Sequence, residues 1–265
     1  MRFLKILSIL SLLWLVAGCS ILTQDETAEW DVEKFYETAK EALDNGDYAT
    51  AIKYYTQLEA RYPYGRYAQQ AQLETIYAHY KDREPASAVA AADRFIKLHP
   101  RHPNADYAYY MRGLATFDQG ATGLIEGVFP TDRSKRDPAT IRESFGYFKQ
   151  LVTRYPNSRY SPEAVKRMQL LRNYLAKHEL HAADYYLRRG SYLAAANRAK
   201  YVLENYPRST AIPDALVVMV KAYRLMDMQD LADDALRVLE LNHADHPALA
   251  ELREPRTAME PDPQQ

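Results

Sequence analysis

Cysteine, glycine and long apolar runs are all scarce in this chain, and each scarcity removes a class of protein. A single cysteine, Cys19, among 265 residues can build neither a disulfide framework nor a thiolate metal cluster. Nine glycines are too few for the turn-dense architecture of an all-β fold. The longest apolar run, Ile6 to Val16, falls short of the roughly 20 residues a membrane-spanning helix needs. Neither sign of charge dominates: 34 Lys and Arg stand against 35 Asp and Glu, and loss of Arg2 and Lys5 with an N-terminal leader would leave 32 basic side chains. Such a balance offers no basic surface for nucleic acid. What the chain does have is tyrosine, 22 residues against 7 Phe and 2 Trp, within a hydrophobic content of 47%. Tyrosine buries an aromatic body while its hydroxyl reaches water, which suits thin, much-exposed helical stacks and also interfaces.

The lone cysteine has a chemical explanation. Arg2 and Lys5 precede the apolar run, which ends in Val16-Ala17-Gly18-Cys19. Charge, apolar segment and small residues before a cysteine form a secretory signal that resembles the lipobox of bacterial lipoproteins. Cleavage is expected between Gly18 and Cys19. The Cys19 thiol then takes a diacylglycerol and the freed amine a palmitoyl chain, and several acyl chains exceed the two-signal threshold for stable anchoring. The competing reading is a buried free cysteine behind an ordinary signal. Ser20, in place of an aspartate, resembles the sorting pattern that directs lipoproteins to the inner leaflet of the outer membrane. The expected organisation is a signal peptide over 1–18, a lipidated tether over 19–31, repeats over 32–160 and 161–243, and a flexible tail over 244–265.

The remainder repeats itself. Arg61-Tyr62-Pro63, Leu98-His99-Pro100, Arg154-Tyr155-Pro156 and Asn205-Tyr206-Pro207 match, with a weaker fifth at Asp245-His246-Pro247. Twelve residues before these prolines stand Ala51, Ala88, Ser144, Ala195 and Ala235; eight after the first four stand Ala71, Ala108, Ala164 and Ala215. Small side chains at a fixed phase let helices approach closely, and each proline stops the second helix of a pair. The apolar periodicity predicts ten helices in five pairs: 32–45 with 48–61, 66–81 with 85–98, 104–118 with 139–154, 162–188 with 191–205, and 211–227 with 229–241. Asp137-Pro138 and Ser161-Pro162 each place a capping residue before a first-turn proline. Proline spacings of 37, 56, 51 and 40 residues lengthen the tetratricopeptide period of about 34. The 56-residue interval holds a long loop through Asp132-Arg133-Ser134-Lys135-Arg136-Asp137, and the 51-residue interval an extended helix. The expected fold is therefore all-α, a tetratricopeptide-like solenoid of about five helical hairpins, bent at the long helix after the third.

Catalytic and cofactor signatures are weak. His178-Glu179-Leu180-His181 imitates a metalloprotease motif, but its histidines are three apart instead of four and no further ligand is evident, so a surface pair is the plainer reading. Gly120, Gly123 and Gly127 lack the Lys-Ser or Lys-Thr of a phosphate loop. The carboxylates are expected on solvated helix faces. Neither an enzyme nor a bound cofactor or metal is expected. A grooved solenoid binds extended partners, which leaves a structural component of an envelope machine or an adaptor for a cell-wall or other periplasmic complex.

Several segments narrow this further. Tyr62-Pro63-Tyr64-Gly65-Arg66-Tyr67, Asp93-Arg94-Phe95-Ile96, Tyr110-Met111-Arg112-Gly113-Leu114, Asp132 through Pro138, Tyr155-Pro156-Asn157-Ser158 and Asn197-Arg198 together resemble the BamD family, the tetratricopeptide lipoproteins of the outer-membrane β-barrel assembly (BAM) machinery. The likeness runs from the lipobox to about Leu239, and the tail from about Ala244 departs from it. The resemblance implies five repeats, a periplasm-facing lipid anchor, and assembly with BamA and accessory BAM lipoproteins. It implies that C-terminal repeats meet the POTRA domains of BamA and that N-terminal repeats receive unfolded outer-membrane proteins and accessory segments. Arg198 matches a family arginine that meets an acidic POTRA residue; without the family it reads as a solvated helix arginine. Tyr62, Tyr64 and Tyr67 are candidates for gripping an aromatic-ended peptide, with inter-helix packing as the alternative. Arg133, Lys135, Arg136 and Asp137 either serve a partner or pair among themselves and cap the loop, and the sequence leaves both open.

Overall fold

The computed structural model describes residues 27–119, 132–135 and 137–254, and over these the chain forms helices and turns with no strand. The helices are α1 (Val32–Asp44), α2 (Tyr48–Arg61), α3 (Arg66–Lys81), α4 (Pro85–Leu98), α5 (Ala105–Gln119), α6 (Pro138–Arg154), α7 (Ser161–Arg188), α8 (Tyr192–Asn205), α9 (Ile212–Leu225), α10 (Gln229–Asn242) and α11 (Leu249–Leu252), with a 3₁₀ turn at Arg133–Lys135 before α6. Each helix from α1 to α10 packs on the next, and first helices of neighbouring pairs also touch: α1 with α3, α3 with α5, and α7 with α9. That is the contact order of a helical-hairpin solenoid.

The phased small residues lie where the helices meet. Ala51, Ala71, Ala88, Ala108, Ser144, Ala164, Ala195 and Ala215 are all fully buried. Around them the core falls into successive clusters: Phe35, Tyr55 and Leu58 over α1–α3, then Ile76, Phe95, Phe148 and Leu151 as far as Leu171 of α7. A third cluster begins at Ala176 of the same helix and runs through Val202 to Ala222, so the core changes hands within one 28-residue helix.

The turn inside four of the five pairs is a repeated device. Asp47, Glu84, Ser191 and Met228 donate backbone N–H bonds of 2.9 Å to Ala42, His79, Tyr186 and Tyr223, five residues back. This closure needs a left-handed residue just past the helix end. Gly46 and Gly190 supply it at φ +79° and +73°, but Arg83 and Asp227 adopt it at +63° and +60°.

Four expectations change. The tether expected over 19–31 is already docked by Thr27, which is buried and whose carbonyl accepts from the Arg61 guanidinium. Trp30 packs on Phe35 and Tyr54, and Asp31 caps α1 through the Lys34 amide. Ser161 is not a cap: it begins α7, and its hydroxyl donates back to the Tyr155 carbonyl at 2.7 Å. The fifth repeat is out of register with its proline. Tyr62, His99, Tyr155 and Tyr206 close second helices immediately before prolines, and His243 closes α10 in the same way. Ala244, not Pro247, therefore holds the proline position, and fully buried Ala232 replaces Ala235 as the phased small residue. Lastly, the expected tail does not start at 244. Leu249 and Leu252 are buried against Leu216, Val220 and Leu239, so this short helix is set on the fifth pair. Asp137, by contrast, caps α6 through the Ala139 amide at 3.0 Å as its sequence context predicts.

Candidate partner-binding faces

Arg198 lies on α8, half-exposed, and its Nη1 donates to Glu179 Oε2 at 2.8 Å. Glu179 sits on the inner face of α7 and is only 6% exposed. Hydrogen bonding to Glu179, with its charge close by, holds the guanidinium above its already high ordinary value. Arg198 is thus more than a solvated arginine: it neutralises a buried acid while its side chain stays half-exposed. Glu179 was legible in the sequence, since it lies three residues after Ala176 and four before Ala183, on the apolar stripe of the helix.

The three tyrosines part company. The Tyr62 hydroxyl donates to the Trp30 carbonyl at 2.9 Å and its ring packs edge-on against Phe35. Tyr67 donates to Glu33 at 3.0 Å and lies against Tyr36 and the Arg66 guanidinium. Both join α1 to the α2–α3 corner and pack as the plainer reading has it. Tyr64 is 90% exposed and free to meet a partner.

The long loop returns to the body at the histidine pair of α7. His178 Nδ1 donates to the Ser134 carbonyl at 3.0 Å. His181 Nε2 lies 2.8 Å from Ser134 Oγ, which in turn donates to Asp132 at 2.6 Å. With the Ser134 proton used on Asp132, His181 is the donor to the hydroxyl. Spaced three apart on one face of α7, the two rings clasp a fully buried serine. The Arg133 side chain and all of Arg136 lie outside the described residues, as do Gly18, Cys19 and the loop glycines. Lys135 is exposed.

The Arg112-Gly113 pair is structural. Arg112 is buried between the Tyr109 and Tyr147 rings and donates to Asp93 and to Gln150 Oε1. No cluster able to hold a metal ion occurs among the described residues, and no helix there is long and apolar enough to cross a membrane.

These arrangements occupy the segments that carry the family likeness, and comparison with known proteins decides what they mean. The family described as "Outer membrane lipoprotein" (YfiO) matches residues 28–239. A protein of Neisseria meningitidis serogroup B named outer membrane protein assembly factor BamD is 44% identical over 84% of this chain and 83% of its own length. The chain belongs to the BamD family. A second BamD, from Neisseria gonorrhoeae, is 42% identical over 86% of this chain and 85% of its own. BamD of Vibrio cholerae is 37% identical over 89% of this chain and 97% of its own. The solved TPR domain of P58(IPK) overlays with a TM-score of 0.42 at 13% identity, covering 83% of this chain and 63% of that one. The repeat assignment rests on the helix pairs themselves.

Proposed function

We infer that this BamD-family chain is an outer membrane protein assembly factor, a non-enzymatic scaffold of the BAM complex that takes part in inserting β-barrel proteins into the outer membrane. The observation that carries this is the extent of the match: the family spans residues 28–239, and relatives bearing that function in their names align over most of both chains. A helical solenoid supports it physically, because stacked pairs expose long faces suited to extended partners. The alternative, an adaptor for a cell-wall or other envelope complex, has no comparable support.

In this reading Cys19, freed by cleavage after Gly18, carries the S-diacylglycerol and N-palmitoyl groups and holds the chain at the inner leaflet, facing the periplasm. Arg198, half-exposed on α8, offers its guanidinium to a POTRA carboxylate of BamA, for which a planar fork is better matched than an ammonium. Tyr64, at the tip of the α2–α3 corner, is the tyrosine left for an unfolded substrate or an accessory lipoprotein.

A mild-detergent pull-down of the lipidated chain from envelopes tests the reading. BamA and accessory lipoproteins should co-purify in stoichiometric amounts, and a Cys19→Ser variant should leave the membrane fraction once those partners are removed. Recovery of cell-wall fragments or soluble proteins without BamA would favour the adaptor instead.

A further inference from the structure

The N-terminal end of the described chain is fastened at one corner of the solenoid. Thr27 is buried, and the carbonyls of Thr27 and Ala28 both accept from the Arg61 guanidinium. Tyr62, the next residue, donates to the Trp30 carbonyl at 2.9 Å. Whatever precedes Thr27 therefore joins the body beside the α2–α3 turn. Thr27 lies eight residues after Cys19, and eight residues reach at most roughly 29 Å even when fully extended. The 28-residue helix α7 alone is about 42 Å long. A chain anchored through Cys19 thus keeps this corner closer to its bilayer than the length of one of its helices.

The same turn displays an aromatic ring between cations. Pro63, Tyr64, Gly65 and Arg66 are all exposed, and Tyr64 stands only three residues, at most about 11 Å between Cα atoms, from Arg61. Residues 61–66 hold two arginines and no acid. Of the acids near by, Asp31 caps α1 and Glu33 accepts from Tyr67, which leaves Glu29 as the exposed opposing charge. A tyrosine flanked by arginines suits the headgroup layer of a membrane: the ring reaches the apolar boundary, the hydroxyl stays in water, and a guanidinium meets lipid phosphate. A groove that threads a peptide would give the ring walls. At 90% exposure Tyr64 has none, which fits a flat partner better.

We propose that the α2–α3 corner, through Tyr64 and Arg66, rests on the headgroup surface of the bilayer that holds Cys19, a second contact that orients the solenoid with its first pair at the membrane. The inference rests on the lipid anchor given to Cys19 above. One tyrosine and one arginine bind a bilayer weakly by themselves, and a short tether makes that contact intramolecular, at a high effective concentration of lipid. Lipid and polypeptide exclude each other at Tyr64, so the test must separate them.

The probe is a vesicle of phosphatidylethanolamine and phosphatidylglycerol containing dibrominated acyl chains, with the lipidated full chain inserted through Cys19. Tyr64→Trp and Leu241→Trp each add one indole at an exposed site, the second on α10 of the last pair, and the emission of Trp30 in the parent chain is subtracted. Bromine should quench the indole at position 64 at least about threefold more than that at 241. Arg66→Glu should bring the two closer together. So should about twenty Gly and Ser residues inserted after Gln24, which lower the effective concentration of lipid about sixfold. Flotation of the chain with the vesicles reports the anchor separately: a lipidated chain that does not float removes the Cys19 reading and this one with it. A chain that floats but is quenched equally at 64 and 241 overturns the proposal alone. If position 64 escapes quenching while Tyr64→Ser lowers recovery of unfolded outer-membrane proteins, the tyrosine serves polypeptide instead and the proposal is overturned.

Discussion

Arg198 of α8 donates to Glu179 of α7 at 2.8 Å, so the arginine proposed to meet BamA also stabilises its own solenoid. Charge reversal at this position is therefore a mixed experiment. Arg198→Glu would place a second acid beside the buried Glu179, and it should cost about 1–3 kcal/mol of stability besides any loss of partner. Arg198→Lys separates the two effects. An ammonium keeps the charge opposite Glu179, so the melting temperature should stay within a few degrees. The bidentate fork is lost, so BamA recovery in a pull-down should fall. If Arg198→Lys recovers BamA fully while Arg198→Glu lowers recovery and melting temperature together, the arginine's part is structural.

Periodicity made the helices legible, because apolar and small side chains at fixed intervals must face a common interior. It placed α1 to α10 within a few residues and identified the buried alanines. It failed where an identical residue type serves a different position. Pro247 resembles the repeat prolines but stands three residues beyond the equivalent Ala244, since His243 closes α10 without a following proline. The packing of residues 27–31 and 249–252 escapes the sequence because Thr27, Trp30, Leu249 and Leu252 are held by partners far along the chain, which local pattern does not contain. The same holds for the site. Tyr62, Tyr64 and Tyr67 look alike in one hexapeptide, and only tertiary contacts with Trp30 and Glu33 tell the packed pair from the exposed one.

Gly113 is required by Phe148. A Cβ built on residue 113 of α5 would lie 2.7 Å from the Phe148 ring of α6, and the ring is fully buried among Ile76, Phe95 and Leu151 and has little room to retreat. Alanine improves helix propensity by at most about 1 kcal/mol, but overpacking a closed core commonly costs about 1–3 kcal/mol. Gly113→Ala should therefore destabilise, by about 1–2 kcal/mol net in chemical denaturation. A Gly113→Ala, Phe148→Leu double variant should recover part of that loss, and a stabilised single variant would show that the interface is looser than its geometry.

Arg83 presents the opposite case. It occupies the left-handed position that glycine fills in two other pairs, at φ +63°. A non-glycine residue there carries roughly 1–2 kcal/mol of steric cost, and glycine trades this for a smaller entropy loss of about 0.5–1 kcal/mol in the unfolded chain. Arg83 is exposed, so little packing is lost. Arg83→Gly should raise stability by about 0.5–1 kcal/mol, and Arg83→Val, which is both branched and unable to adopt the turn, should lower it. The denaturation midpoints of the two variants should move in opposite directions.

The clasp of Asp132 and Ser134 on α7 has a defined pH dependence. Protonating His178 leaves its Nδ1–H on the Ser134 carbonyl, and protonating His181 leaves its Nε2–H on the Ser134 hydroxyl, so neither event breaks a bond and the second adds attraction to Asp132 at 3.4 Å. The vulnerable group is Asp132. The Ser134 hydroxyl and amide, followed by His181 and Lys135, hold its carboxyl below the ordinary value. A depressed carboxylate contributes its stability in full above the unfolded value, about 3.9, and loses it as pH falls through the lower folded value. The Ser134 amide, which donates to Asp132 at 3.0 Å, should keep its chemical shift from neutral pH to about pH 5 and move only below about 4. Ser134→Ala removes the hydroxyl bridge from a fully buried site, and it should cost about 1–2 kcal/mol and loosen the loop's return to α7 in hydrogen exchange. Asp132→Asn should flatten the stability profile below pH 4. A Ser134 amide that does not move below about pH 4 would mean that the Asp132 carboxylate does not hold the clasp.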